Sequence, residues 1–406
     1  MSATICILGT LDTKGEEFRF VRDLIRAAGF ETLVIDAGVL EPPAFDPDIP
    51  RSRVAEAGGR SLPDLVAEKD RGKSVATMAA GAAAVVRGLF DQGKIHGILA
   101  LGGSAGTTIG TTAMRALPVG VPKVMVSTLA SGDTRPYVGT RDIAMLYSVV
   151  DIAGLNRLSR RILSNAAAAV CGMAGAPIPP VETDRPLLAA TMFGVTTPCV
   201  TKARQIAEQA GYEVLVFHAT GAGGRAMEDL IADGFIAGVL DITTTELADE
   251  LVGGVLSAGP HRLEAAGARG IPQVVCPGAV DMVNFGPKDT VPEKFRGRNL
   301  YVHNPTITLM RTTVAECAAL GRITAEKLNR AKGPVAVVLP LKGVSAIDAA
   351  GGPFHAPDAD AAYNEALKRA LVPRIPLLEL DCHINDDAFA QKAAHLLMEM
   401  LKNNKI

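Results

Sequence analysis

Hydrophobic and polar positions follow two alternating periods along this chain. Apolar runs of five or six residues, the length of buried strands, are separated by longer stretches whose apolar residues fall three and four apart, as in amphipathic helices. The first run, residues 4–8, is followed by a helical pattern over 16–28 with Phe20, Leu24 and Ala27 on one face, then by a second run at 31–36. Strand, helix and strand with short links predict a parallel pair with a right-handed crossover. Residues 40–63 carry proline, glycine and charge without a period, which predicts a loop. A small-residue helix is expected over 69–90, strands at 97–101, 122–127 and 144–149, and a helix over 154–171. Residues 176–186 contain four prolines, which fit neither a helix interior nor a central strand, and form the expected linker.

Beyond the linker the alternation restarts. Strands are expected at 187–192, 213–218, 236–241, 273–276, 335–339 and 377–380. Helices are expected at 198–210, 222–232, 247–256, 261–269, 311–331, 358–370 and 386–402. Three stretches of the first half recur in order in the second. Ala28-Gly-Phe-Glu-Thr-Leu-Val-Ile-Asp36 matches Ala210-Gly-Tyr-Glu-Val-Leu-Val-Phe-His218, residues 91–99 resemble 232–240, and Gly120-Val-Pro-Lys-Val-Met-Val126 matches Gly270-Ile-Pro-Gln-Val-Val-Cys276. The expected fold class is therefore α/β, with two similar Rossmann-like subdomains, 1–180 and 187–406, mainly parallel sheets and a cleft between them.

Ligands of open parallel sheets bind beyond the C-terminal ends of the strands, and the two halves offer different chemistry there. The first places Leu101-Gly-Gly-Ser-Ala-Gly-Thr-Thr108 at a strand-to-helix turn. Free backbone N–H groups and the positive end of a helix dipole suit a phosphate or carboxylate. Gly102, Gly103, Ser104, Gly106, Thr107 and Thr108 are thus candidate anion-binding residues, with Thr10, Asp12 and Thr13 after the first strand and Ser131 and Gly132 after the fourth. Neither common nucleotide fingerprint is present. Asp12 either caps its helix or stands near a Mg²⁺ ion, and Asp36 is a candidate for ribose hydroxyls. The second half offers imidazoles and carboxylates: His218, Asp241, Glu246, Asp281, His303 and His383. Such a set suits acid/base work or a metal, although no spaced pair of metal ligands is present.

Composition narrows the classes. A formal charge of −2 gives a polyanion no purchase, which argues against nucleic acid. No apolar run reaches about 18 residues and no basic segment precedes one at the start, so neither membrane nor export is expected and the expected location is cytoplasmic. Six scattered cysteines without a C-x-x-C pair read as reduced core thiols.

The chain also resembles a known family, the ATP-binding domain of the tomato mosaic virus resistance protein and its bacterial relatives. The residues carrying the resemblance are Gly9-Thr-Leu-Asp-Thr-Lys-Gly-Glu16, Leu101–Thr108 and Ser127-Thr-Leu-Ala-Ser-Gly-Asp133 in the first half. In the second they are His218-Ala-Thr-Gly-Ala-Gly-Gly224, Asp241-Ile-Thr-Thr-Thr-Glu246, Pro277-Gly-Ala-Val-Asp-Met282 and His303-Asn-Pro305. The resemblance implies ATP in the first half and a homodimer. Taken together, these features lead us to expect an ATP-dependent enzyme acting on a small anionic metabolite. Two other classes stay open: a non-catalytic ATP-sensing or interaction module, and an enzyme like a nucleotide-sugar epimerase or glycosyltransferase.

Overall fold

The computed structural model describes residues 3–177 and 185–403. The chain divides into two compact units, Met1–Pro180 and Val181–Ile406. Most of the proline-rich linker expected at 176–186 lies outside the described residues.

The first unit runs β1 (Thr4–Gly9), α1 (Leu11–Ala27), β2 (Glu31–Asp36), α2 (Arg51–Ala57), α3 (Leu62–Glu68), α4 (Arg71–Asp91), β3 (Gly97–Gly102), α5 (Ser104–Arg115), β4 (Lys123–Ser127), α6 (Arg135–Val138), β5 (Ala144–Tyr147) and α7 (Arg157–Gly175). Its five strands are all parallel, in the order β2-β1-β3-β4-β5. Strands covered on both faces need apolar residues at every position. β1 shows how they divide: Cys6 and Leu8 join the core under α4 and α5, while Ile5 and Ile7 join the opposite core under α1 and α7. Among the described residues α4 is the one helix long and apolar enough to cross a membrane by length and composition. Its Met78, Ala82 and Val86 are buried in the first of these cores.

The second unit runs β6 (Leu187–Met192), α8 (Thr197–Gln209), β7 (Glu213–His218), α9 (Ala222–Asp233), β8 (Gly238–Thr243), α10 (Thr245–Val252), α11 (Ala265–Arg269) and β9 (Gln273–Gly278). It continues with β10 (Met282–Phe285), β11 (Leu300–Asn304), β12 (Ile307–Arg311), α12 (Val314–Asn329), β13 (Val335–Pro340), α13 (Pro357–Ala370), β14 (Leu377–Leu380) and α14 (Asp387–Asn403). Its six-stranded sheet is parallel in the order β7-β6-β8-β9-β13-β14. The repeated sequence stretches end in β2 and β7, β3 and β8, and β4 and β9, which hold matching places in the two sheets. The duplication read from sequence is thus a duplication of topology.

Two expectations need correction. Residues 40–63 are not one loop: Ile49 bridges to Ile35, and α2 and the start of α3 lie within the stretch. Seven-residue helices that bury one or two side chains each give too short a pattern to read as periodic. Residues 282–311 contain an antiparallel sheet, β10-β12-β11, that the strand–helix alternation did not predict. Its four- and five-residue strands flank a stretch dense in proline, glycine and charge.

The packing of α4 on α2 turns on one close approach. A Cβ on Gly81 would lie 1.9 Å from the Val54 carbonyl oxygen, whereas one on Gly88 of the same helix meets nothing within 4 Å. Gly81→Ala is therefore expected to cost about 1–3 kcal/mol by overpacking, and Gly88→Ala to gain about 0.5–1 kcal/mol from helix propensity. Urea unfolding of the two variants, followed by far-UV circular dichroism, should move the midpoint in opposite directions.

Candidate functional site

In the first unit the strand order reverses at β1: the chain steps from β1 to β2 on one side and later to β3 on the other. Loops leaving β1 and β3 diverge there, which opens a crevice at the C-terminal edge. A cavity of about 700 Å³ occupies that place, within the roughly 300–1,000 Å³ of small-molecule sites. Thr10, Asp12, Thr13 and Lys14 line it from the β1 turn, Gly103, Ser104 and Gly106 from the β3 turn, and Leu40 and Glu41 from the loop after β2. Leu65 and Val66 of α3 with Val75 and Met78 of α4 make an apolar wall, and Lys69 and Arg71 stand exposed at its rim.

Two helices begin at this cavity with no cap from their own N-cap residues, Thr10 and Gly103. The first helical bond of α5 runs from the Thr107 N–H to the Gly103 carbonyl (2.8 Å), so the amides of Ser104, Ala105 and Gly106 have no helical acceptor. At α1 the Leu11 N–H is met by Asp36 Oδ1 (3.1 Å), which also accepts from Gly38 N–H (2.9 Å). Asp12 Oδ2 accepts from the Leu40 N–H (2.8 Å), while Asp12 Oδ1 and Asp36 Oδ2 are buried without a hydrogen-bond partner. Burial raises the Asp36 carboxyl above the usual range, against its two backbone donors, and the nearby Asp12 adds to the rise.

The structure gathers Thr10, Asp12, Thr13, Gly103, Ser104 and Gly106 around one cavity. The other anion candidates are placed elsewhere. Gly102 is the buried last residue of β3. Thr107 is fully buried, its hydroxyl bonded to Ser127 Oγ (2.7 Å), and the Thr108 hydroxyl donates to the Ser104 carbonyl (2.9 Å). Ser131 and Gly132 lie in an exposed turn after β4.

In the second unit the equivalent edge is filled by the protein's own side chains. β3 and β8 are both six residues long, and each is followed one residue later by a helix, so Glu246 stands where the first unit has Ala105. Its carboxylate crosses to the glycine-rich start of α9, where Oε1 accepts from Gly221 N–H (2.6 Å) and Gly224 N–H (3.1 Å). Oε2 takes Arg262 Nε (2.7 Å). The same guanidinium is bidentate to Asp241 (2.5 and 2.6 Å) and reaches Glu228 (3.2 Å). Asp241 also accepts from the Thr191 hydroxyl (2.7 Å), and Glu228 from the Leu263 and Ala265 amides (2.6 and 2.7 Å). Asp241, Glu246 and Arg262 are all within 1% of complete burial.

A second buried cluster surrounds Arg311. Its Nη2 meets Asp360 (2.6 Å) and Asp348 (3.4 Å), and its Nε donates to the Phe354 carbonyl (2.7 Å). Asp281 accepts from the Ser345 hydroxyl (2.8 Å), and its other oxygen is buried and unpartnered. Burial raises all three carboxyls, Asp360 to about 7, and Arg311 only partly opposes it. The three histidines stand apart. His218 is exposed beside the Phe193 ring (5.5 Å), His303 is exposed on β11, and His383 accepts the Asn385 N–H at Nδ1 (3.1 Å), leaving Nε2 to donate to the Ser345 carbonyl (2.9 Å). Among the described residues no group of three or more His, Cys, Asp or Glu side chains is arranged to hold a metal. Sequence reasoning passed over Arg262 and Arg311, whose partners lie far along the chain, and the apolar wall from α3 and α4.

Residues 3–179 match the N-terminal domain, and 185–401 the C-terminal domain, of the uncharacterised protein family UPF0261. A UPF0261 protein of Clostridium tetani is 57% identical over 99% of this chain and 100% of its own. One from Rhizobium meliloti is 47% identical over 96% of this chain and 97% of its own. The tomato protein "ToMV resistance protein Tm-1(GCR237)" is 40% identical over 98% of this chain, which spans 56% of that longer protein. Solved structures that align along the length are remote. A UDP-N-acetylglucosamine 2-epimerase from Rickettsia bellii covers 99% of this chain and 98% of its own at 8% identity and a TM-score of 0.24. The glycosyltransferase VinC covers 99% and 100% at 9% identity and a TM-score of 0.18.

Removing Arg262 would leave three carboxylates buried without their cation, so Arg262→Met is expected to destabilise the second unit by about 3–5 kcal/mol in urea unfolding. The Arg311 cluster sets a pH dependence. Its carboxyls titrate higher when folded than unfolded, so the folded state holds the extra protons. The stability they contribute is present at low pH and is lost as pH rises through about 7. Unfolding midpoints compared at pH 5 and pH 8 should fall less for Asp360→Asn than for the unaltered chain.

Proposed function

The chain belongs to the UPF0261 family, and from its first-unit cavity we infer that it binds ATP. One observation carries the reading: at the reversal of strand order the cavity joins an uncapped helix N-terminus to an apolar wall. A nucleotide has the matching two parts. Its phosphates take the free amides of Ser104, Ala105 and Gly106 and the dipole of α5, and its base packs on Leu65, Val66, Val75 and Met78. Lys69 and Arg71 at the rim add positive charge. The Oδ1 of Asp12 suits a Mg²⁺ ion carried in with the phosphates, an ion that normally keeps most of its waters and takes one or two carboxylates. The family resemblance carried by Gly9–Glu16 and Leu101–Thr108 implies the same ligand.

On this reading the enzymatic step, a reaction on a small anionic metabolite, uses the second unit. A binding module without catalysis is the second reading. It is favoured by one observation, the burial of Asp241 and Glu246 in ion pairs with Arg262, which leaves neither carboxylate exposed to a substrate.

The second unit supplies the test. Ala105→Glu installs in the first unit the carboxylate that the second already carries as Glu246. A Glu in the first turn is compatible with α5 and its dipole, so the fold should survive. In the unaltered chain, ATP with Mg²⁺ at about 100 times its dissociation constant should add roughly 2.7 kcal/mol of stability, read as a rise in melting temperature. Ala105→Glu should abolish that rise, and Asp12→Asn should reduce it only when Mg²⁺ is present. No rise in the unaltered chain at millimolar ATP sinks the reading.

A further inference from the structure

We propose that Lys14 is a ligand-operated tether, which couples the cavity to the segment between β5 and α7. The inference rests on the nucleotide reading above. Lys14 lines the cavity, yet its ammonium donates to the carbonyl of Ile152, far along the chain. The backbone is arranged to aim it there: Lys14 has φ −133° and ψ 26°, a break in the first turn of α1. A second tether lies one turn further on, where buried Glu17 accepts from the Gly154 N–H (2.6 Å). Apart from the Ser148 N–H, which donates to the Ser127 carbonyl of β4 (3.1 Å), the segment so held is bonded mainly to itself. Ser148 Oγ donates to the Val150 carbonyl (2.7 Å), and Asp151 Oδ1 accepts the Ile152 N–H (2.8 Å). Val149 sits at φ +64°, a left-handed conformation unfavourable for a β-branched residue, and is 56% exposed. A strained turn of this kind persists only while its surroundings hold it.

The Lys14 ammonium has a neutral carbonyl as its partner. A phosphate oxygen at the α5 N-terminus carries a full negative charge, so the ammonium gains there a Coulomb attraction that the neutral carbonyl cannot give. Nucleotide binding therefore draws Lys14 into the cavity and frees the Ile152 carbonyl. Glu17 and the buried Ile152 side chain keep the segment attached, so the effect is a loosening around Val149–Ile152, not an unfolding.

Hydrogen–deuterium exchange on the full chain tests this, with ATP and Mg²⁺ as the probe and Lys14→Gln and Lys14→Arg as variants. In the unaltered chain, ATP should slow exchange over residues 103–115 and speed it over 148–156, by about tenfold if one charge-assisted hydrogen bond is lost. Lys14→Gln should show the faster 148–156 exchange with no ligand added and no further change on adding ATP. Lys14→Arg, which keeps a cationic donor, should behave as the unaltered chain does. Protection at 103–115 with no change at 148–156 overturns the coupling and leaves the nucleotide reading intact. Unaltered 148–156 exchange in ligand-free Lys14→Gln overturns the tether whatever ATP does. Absence of protection at 103–115 overturns the nucleotide reading and the coupling with it.

Discussion

A parallel sheet sends the N-terminus of every following helix to the same edge, and each of those helices arrives with N–H groups that no helical carbonyl can meet. Something must satisfy them. The two units of this chain repeat one topology and answer that demand differently, and most of what distinguishes them follows from the difference. In the second unit the answer is internal: Glu246 serves the amides that open α9, and Glu228 serves those at Leu263 and Ala265. In the first unit Asp36 serves the start of α1, while the start of α5 has no carboxylate of its own.

Each internal answer brings a further requirement. Carboxylates buried to meet backbone amides repel one another unless a cation joins them, and in the second unit Arg262 does so for three at once. A guanidinium fits because its five donors spread over a plane that several carboxylates can share. Such a cluster fixes loops from different parts of the chain against each other, since any carboxylate that moved would leave charge unpaired in a dry interior. Among the described residues the first unit has no counterpart to this lock at α5. It keeps a cavity where the second has Glu246, and the amides there remain for a solute.

The same contrast separates what was legible in the sequence from what was not. The repeat was legible because a strand buried on both faces must be apolar throughout, and because glycine marks the turn before it; Gly29, Gly120, Gly211 and Gly270 all have positive φ at those turns. The helix start at Gly103–Gly106 was legible for another reason, its glycines following directly on an apolar strand. The partners of Arg262 were not, because Glu228, Asp241 and Glu246 reach it through the fold and not through any spacing along the chain. Nor was the apolar wall of the cavity: Leu65 and Met78 look like any core residues in sequence, and only the loop after β2 and two short helices turn them toward the β3 edge. His218, His303 and His383 drew notice as strand-end imidazoles, yet the edge they occupy is broad, and the fold spreads them over a strand end, an antiparallel edge strand and a capped turn.

Polar residues at the strand ends of a parallel sheet are thus ambiguous in a particular way. An acid there can act on a ligand, or it can stand in for one. Glu246 does the second: its carboxylate sits in a glycine-rich helix start as an external anion would, and a Cβ on Gly224 would come within 2.1 Å of it. The glycine is needed for close approach whether the anion is a substrate or a side chain. Glycines at a helix start therefore mark an anion's place without saying whose anion it is, and the residue opposite decides. Where it is Glu246 the place is taken; where it is Ala105 the side chain is too short to reach, and the dipole of α5 is left to act on whatever enters the cavity.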